Sequence, residues 1–292
     1  MNSINISKEE FSKLKELELS NLIFNNEGSV YDFKNNSKVL KILYNTRGNI
    51  FANKLYTIEM LDFYKKYLPN NFIIPDSLIS VDEKVLGFTI PKYNGINFAD
   101  LLNDKEVSVK DKLYYFKKIG ETLDKLKGIR NNTSLKEIYI NDLHESNILV
   151  NKDRKELAFI DLDSCRLDKN GCFSAKYLGP SFFIADTINK YILNEDGNGI
   201  GYIYANHNSD LYCYNVMILN FLYGSRINRM SPDAYKRYLK YLEDLKIDNK
   251  LIDCFYRLSS KSDNKNPMNY IESITDEQFN SAKRYIYEKT IR

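Results

Sequence analysis

Apolar residues recur at three- and four-residue intervals through residues 108–128, where Leu113, Phe116, Ile119, Leu123 and Leu126 form one stripe. That spacing predicts a helix with one buried face. Residues 51–68 carry a second helical pattern, and residues 1–20 a charged, amphipathic one. Elsewhere the period shortens. Residues 37–43, 72–81 and 85–90 read as strands, and residues 22–33 as the start of a hairpin that turns at Asn25-Asn26-Glu27-Gly28-Ser29. Ile148-Leu149-Val150 and Ala158-Phe159-Ile160 read as two short strands joined by the polar turn at residues 151–156. A long apolar helix follows Ser209-Asp210, running to Leu222 and Gly224.

Two positions interrupt this pattern. Lys41 stands alone among Val39, Leu40, Ile42 and Leu43 in a strand, and a buried ammonium needs a partner. The hairpin at residues 148–160 is flanked by Asp142 and Asn147 on one side and by Asp161 on the other. Its closure would bring Asn147 and Asp161 to one end. An aspartate, an asparagine five residues later and a second aspartate after the next apolar run suit phosphoryl transfer. One carboxylate can orient or deprotonate an acceptor hydroxyl. The amide oxygen and the other carboxylate can hold Mg²⁺ against a nucleotide triphosphate.

Composition narrows the field. The chain has 292 residues, enough for two lobes around a cleft, and its 42 Lys+Arg nearly balance 39 Asp+Glu. That balance carries no electrostatic footprint for nucleic acid or an anionic membrane. No apolar run is long enough for a membrane span, and no basic-then-apolar signal opens the chain, so a cytoplasmic location is the expectation. Cys165, Cys172, Cys213 and Cys254 lack the paired spacing of a zinc site and read as reduced structural thiols. With only His144 and His207 present, multi-histidine metal sites are excluded.

The run Asn141-Asp142-Leu143-His144-Glu145-Ser146-Asn147, followed by Asp161-Leu162-Asp163, resembles the protein-kinase superfamily, whose pattern is H-R-D-L-x-x-x-N and then D-F-G. Ile140-Asn141 replaces His-Arg, and Leu162-Asp163 replaces Phe-Gly. The D-L-H form is similar to aminoglycoside and other small-molecule phosphotransferases. The resemblance implies a bilobal, protein-kinase-like α+β fold with a small β-rich N-lobe and a larger, mainly α-helical C-lobe. On that reading residues 1–90 form the N-lobe (an N-terminal helix, β-strands and one further helix), residues 91–95 the hinge and residues 96–292 the C-lobe.

The resemblance also implies roles. Lys41, paired with Glu59 on the following helix, would clamp the nucleotide phosphates. Gly28 and Ser29 would be what remains of the glycine-rich loop. Ile90, Pro91 and Tyr93 would meet the adenine. Asp142, with Lys41, Asn147 and Asp161, would be catalytic, and Asn147 and Asp161 would bind Mg²⁺. Asp163 either reaches a second ion or points to solvent. Asp210 would bond the backbone of the catalytic loop; it can also cap its helix, and the two roles are compatible. Residues 164–181 resemble an activation segment, with Tyr177-Leu178-Gly179-Pro180-Ser181 at the A-P-E position and an insertion around residues 194–208. Residues 251–267 resemble the late C-lobe turn. The implied cofactors are ATP and Mg²⁺, and the implied acceptor is a protein Ser/Thr hydroxyl. The alternatives are a small-molecule hydroxyl, favoured by His144, or a catalytically weak pseudokinase acting as a binding module, favoured by the degenerate glycine loop. A globular α+β protein with a chance motif would have to match five ordered features by coincidence.

Overall fold

The computed structural model describes residues 1–15, 17, 28–34, 37–132, 137–168, 177–178, 202–203, 207–227, 230–259 and 263–290. Five strands form the first layer: β1 (Asn2–Ile6), β2 (Gly28–Phe33), β3 (Lys38–Leu43), β4 (Ser77–Val81) and β5 (Lys84–Pro91), in the order β1-β4-β5-β3-β2. The β2–β3, β3–β5 and β4–β5 pairs are antiparallel, and Lys41 of β3 faces Val30 on one side and Phe88 on the other. Lys15 and Leu17 bond the outer edge of β2: Leu17 N donates to Val30 O at 2.7 Å and Asp32 N to Lys15 O at 3.0 Å.

Strand alternation splits the sheet into two faces. Leu40, Ile79 and Val81 pack on one, under Phe11 and Leu14. Leu43 and Phe88 pack on the other, against Ile58 of helix α2 (Gly48–Tyr64). Lys41 lies on the strand face it shares with Leu43, so its side chain is directed toward α2.

The first twenty residues depart from the expected helix. Asn2 to Ile6 form β1, parallel to β4, and only Lys8–Ser12 (α1) are helical. Ile4 and Ile6 alternate with polar neighbours and close the sheet edge at β4. Ser7 then starts the helix through a capping box, its hydroxyl accepting from Glu10 N at 3.1 Å and the Glu10 carboxylate accepting from Ser7 N at 2.7 Å. Residues 72–76 also leave the expected strand. Phe72 and Ile74 join the large core of the helical part instead, Phe72 bridging to Phe159, and Pro75, which has no N–H to give, separates them from β4.

The sheet ends at Pro91, and the chain continues through residues 92–95 to β6 (Ile96–Asn97). Gly95 sits where a Cβ would lie 2.8 Å from Val150 O, so only glycine permits this approach. Helices then dominate: α3 (Phe98–Asn103), α4 (Val109–Asn132), α5 (His207–Tyr223), α6 (Pro232–Asp244), α7 (Asn249–Leu258) and α8 (Asp276–Thr290). The predicted stripe Leu113, Phe116, Ile119, Leu123 and Leu126 is buried throughout, each such side chain contributing roughly 2 kcal/mol on removal from water. It packs against α5, and Tyr214 Oη donates to Phe116 O at 2.6 Å.

Three short strand pairs complete the frame. β8 (Ile148–Asn151) and β9 (Glu156–Phe159) form the predicted hairpin with Ile148 opposite Phe159, and β6 adds to β8. β7 (Glu137–Tyr139) pairs with β10 (Arg166–Asp168), and β11 (Tyr177–Leu178) with β12 (Tyr202–Ile203). Among the described residues no helix is long and apolar enough to cross a membrane. Cys165, Cys213 and Cys254 are buried, and Cys172 lies outside the described residues.

Candidate active site

The hairpin β8–β9 does what its sequence predicts. Ile160 N donates to Asn147 O at 3.0 Å, which ties the residue before Asp161 to the residue just before β8. Asn147 and Asp161 therefore stand at one end of the hairpin. The Asn147 amide nitrogen donates both to Asp142 O at 3.0 Å and to Asp142 Oδ2 at 3.2 Å. The amide nitrogen is committed to Asp142, and the oxygen is the atom left to face a cation.

Asp142 is held from the other side by His144, whose Nε2 lies 3.6 Å from Asp142 Oδ2. His144 Nδ1 accepts from Ser146 N at 3.2 Å, so the ring caps the short turn at Glu145–Asn147. Burial pushes the Asp142 carboxyl up, but His144 and the Asn147 amide outweigh it and hold the group below the ordinary carboxylate range. Asp142 is thus an ionised acceptor at neutral pH.

The loop that carries Asp142 is fixed from α5. Asp210 is buried and accepts from Ile140 N and Asn141 N, each at 2.9 Å. It lies inside the first turn of α5 and reaches the loop. Asn141 adopts φ 67, a left-handed conformation that asparagine tolerates, and its Nδ2 donates to Ser164 O at 3.0 Å. The segment after Asp161 is thereby tied to the loop before Asp142.

Asp161 also has left-handed backbone, φ 58 and ψ 43. Such a conformation costs of order 1 kcal/mol and persists only where its surroundings enforce it. Here the short helical turn Leu162–Ser164 follows at once. Asp161 accepts an ion pair from Lys41, and Lys41 also lies 3.3 and 3.4 Å from the two carboxylate oxygens of Asp163. Burial alone would lower the Lys41 pKa, but Asp161 and then Asp163 outweigh it and hold the ammonium above the usual lysine range.

Glu59 is not the partner of Lys41. It is exposed on α2, because the buried face of that helix is set by Lys54, Thr57, Ile58 and Leu61, and Glu59 falls outside their spacing. The inward-facing charge on α2 is Lys54, which the sequence reading passed over. Its Nζ donates to Asp163 Oδ2 at 2.9 Å and lies 3.4 Å from Ser164 Oγ. Its position at the head of that i, i+3, i+4, i+7 stripe is the signal that could have found it. Asp163 is fully buried and does not point to solvent. Burial would raise its pKa, but Lys41 and Lys54 together hold it below the ordinary carboxylate range. For Asp161 burial pushes upward, Lys41 opposes it and the adjacent Asp163 carboxylate adds to it, leaving the group above that range.

Asn147 and Asp161 fit a magnesium ion. Both offer oxygen, and Mg²⁺ is commonly held by one or two such protein ligands together with water and substrate phosphates. Among the described residues no cluster of three His, Cys, Asp or Glu side chains forms a metal cage.

Comparison with known proteins adds the fold. No family model and no curated protein matches this sequence. Among solved structures, titin kinase with its flanking domains superimposes with a TM-score of 0.61 at 15% identity, over 98% of this chain. The fold is that of a protein kinase. The chain spans 53% of that structure's length.

The remaining predicted positions can be placed on this kinase fold. Gly28 and Ser29 lie within β2 rather than in a turn, opposite Leu43 and Ile42. A Cβ on Gly28 would meet Ile42 O at 2.2 Å, so the glycine serves strand pairing there. Ser29 Oγ lies 3.0 Å from Tyr44 Oη. Ile90 packs beside Leu43, Ile58 and Phe88, Pro91 ends β5, and Tyr93 lies half-buried in the segment between β5 and β6. Residues 18–27, 169–176, 179–201 and 204–206, which include Ser174, the Gly179-Pro180 pair and most of the expected insertion, lie outside the described residues. At the late C-lobe turn Arg257 bonds Asp253 at 3.0 Å, and Lys265 bonds the same carboxylate at 3.0 Å.

Proposed function

We propose that this protein is an ATP- and Mg²⁺-dependent phosphotransferase acting on a hydroxyl acceptor, with a protein serine or threonine as that acceptor. One observation carries the reading. Lys41 of β3 pairs with Asp161, Asn147 bonds Asp142, and the backbone bond from Ile160 N to Asn147 O brings these two pairs to one end of the hairpin.

Each residue has a role that follows from its chemistry. Lys41 holds the negative oxygens of the triphosphate. Asn147 and Asp161 would hold Mg²⁺, which when bound would neutralise charge on the phosphates. Asp142 orients the acceptor O–H and takes its proton as the new P–O bond forms and the bond to the leaving diphosphate breaks. The loose transition state of this reaction asks for positioning more than basicity, so an ordinary ionised carboxylate suffices. Asp210 and Asn141 keep the Asp142 loop in place.

A second reading, a binding module without turnover, draws on the Lys41–Asp161 ion pair, which engages the metal-binding carboxylate directly. A thermal-shift titration with ATP and Mg²⁺ on wild type and Asp161→Ala separates the two, because a ligand of the folded state raises its melting temperature. A Mg²⁺-dependent rise that the variant loses supports the enzyme. No rise at millimolar ATP favours the binding module. Transfer of labelled phosphate from ATP to protein or small-molecule acceptors, abolished by Asp142→Ala, then identifies the acceptor.

A further inference from the structure

The acidic side chains of α2 face away from the site. Glu59 is exposed, and Asp62 lies 3.2 Å from the amino-terminal ammonium. What α2 directs inward is the buried Lys54. An ammonium removed from water costs several kcal/mol unless it is paired and hydrogen-bonded. Lys54 meets that requirement with Asp163 Oδ2 at 2.9 Å, the closest contact this carboxylate makes to either lysine. The longer contacts of the same carboxylate, 3.3 and 3.4 Å, go to Lys41. Asp163 is therefore a buried carboxylate seated by one lysine and presented to another.

We infer that Asp163 supplies the carboxylate that holds Lys41 in place, and that Lys54 is the positioning residue that seats Asp163. The charge carried by the helix is thus a cation, and the anion comes from the turn after Asp161. Asp161 stays available to a metal ion when Lys41 turns to the phosphates, because Asp163 still anchors Lys41 from behind. The same arrangement occupies Asp163 with two ammonium groups, so it acts on Lys41 and takes no part in holding a second ion. The inference rests on the phosphotransferase reading only in assigning Lys41 to the nucleotide.

The test uses Asp163→Asn, Lys54→Met, their combination and Lys54→Arg in the full chain. MgATP affinity is read by fluorescent-nucleotide titration and turnover by ADP release. Outer-shell partners of this kind typically change affinity or activity at least about tenfold, so both single variants lose that much. The combined variant loses no more than the worse single one, since both act through one contact. Lys54→Arg, which keeps the charge, recovers most of the loss. A folded Lys54→Met with wild-type affinity and turnover overturns the inference, as do single losses that multiply in the combination.

If wild type binds no MgATP, the enzyme reading fails and the brace is read instead from urea unfolding of the same cycle. Non-additive stabilities then support it and additive ones overturn it. Lys54→Gln replaces Lys54→Met in both cycles should the latter not fold.

Discussion

A single amide joins Asn147 to Asp142: its Nδ2 donates to both the backbone oxygen and the carboxylate of Asp142, at 3.0 and 3.2 Å. On the proposed function, one side chain therefore sets the position of the carboxylate that would orient the acceptor, and its own oxygen is the atom that would meet the metal. Asn147→Ala removes both functions at once. Turnover is expected to fall by about a hundredfold or more, the scale of a small misplacement of reacting groups. Steady-state ADP release, with circular dichroism to confirm the fold, checks this.

Asp210 is the structural support of the same loop. Its replacement by Ala leaves the amides of Ile140 and Asn141 buried without their acceptor. The expected cost is about 2–4 kcal/mol in unfolding free energy, read by urea denaturation. Amide hydrogen exchange at residues 140 and 141 should accelerate together. Asp210→Asn keeps one acceptor oxygen and should fall between wild type and the Ala variant.

The pH dependence of Asp142 follows from its lowered pKa. Burial pushes this carboxyl up, and His144 with Asn147 pull it below its ordinary value of 3.8. A carboxyl with a depressed folded-state pKa contributes stability that is present above its unfolded value and lost as pH falls through the folded one. His144→Leu removes the leading favourable partner and leaves the burial. The acid limb of kcat should then move to higher pH than in wild type, measured from about pH 4 to 8.

In the kinase pattern this chain resembles, an arginine that would read a phosphorylated activation segment stands where this chain has Asn141, whose side chain is committed to Ser164 O at 3.0 Å. Ser164 itself is buried. Activity is therefore expected without phosphorylation of the segment. A Ser174→Ala, Tyr177→Phe variant should keep wild-type turnover and respond no differently to phosphatase treatment.

Much of the candidate site was legible because it is local. The five-residue spacing of Asp142 and Asn147, and the hairpin that returns the chain to Asp161, need only strand periodicity and a polar turn to be foreseen. The stripe on α4 was legible for the same reason, since each helical turn buries its own residues. Lys41 was legible as an anomaly, a charge inside an apolar strand. That the anomaly required an acidic partner followed from electrostatics. Which acid it was did not, because Glu59 and Asp163 were both close enough in principle. The rotation of α2 against the sheet decided it, placing Thr57, Ile58 and Leu61 in the core and with them Lys54. The parallel pairing of β1 with β4 was likewise beyond local pattern, since the register Asn2 to Ser77 is set by what the sheet edge lacks. The sequence by itself determined the order and spacing of the groups that could carry phosphoryl transfer. The tertiary structure alone decided which charges face one another, because pairing across elements depends on how whole faces pack and on which ions can be buried together.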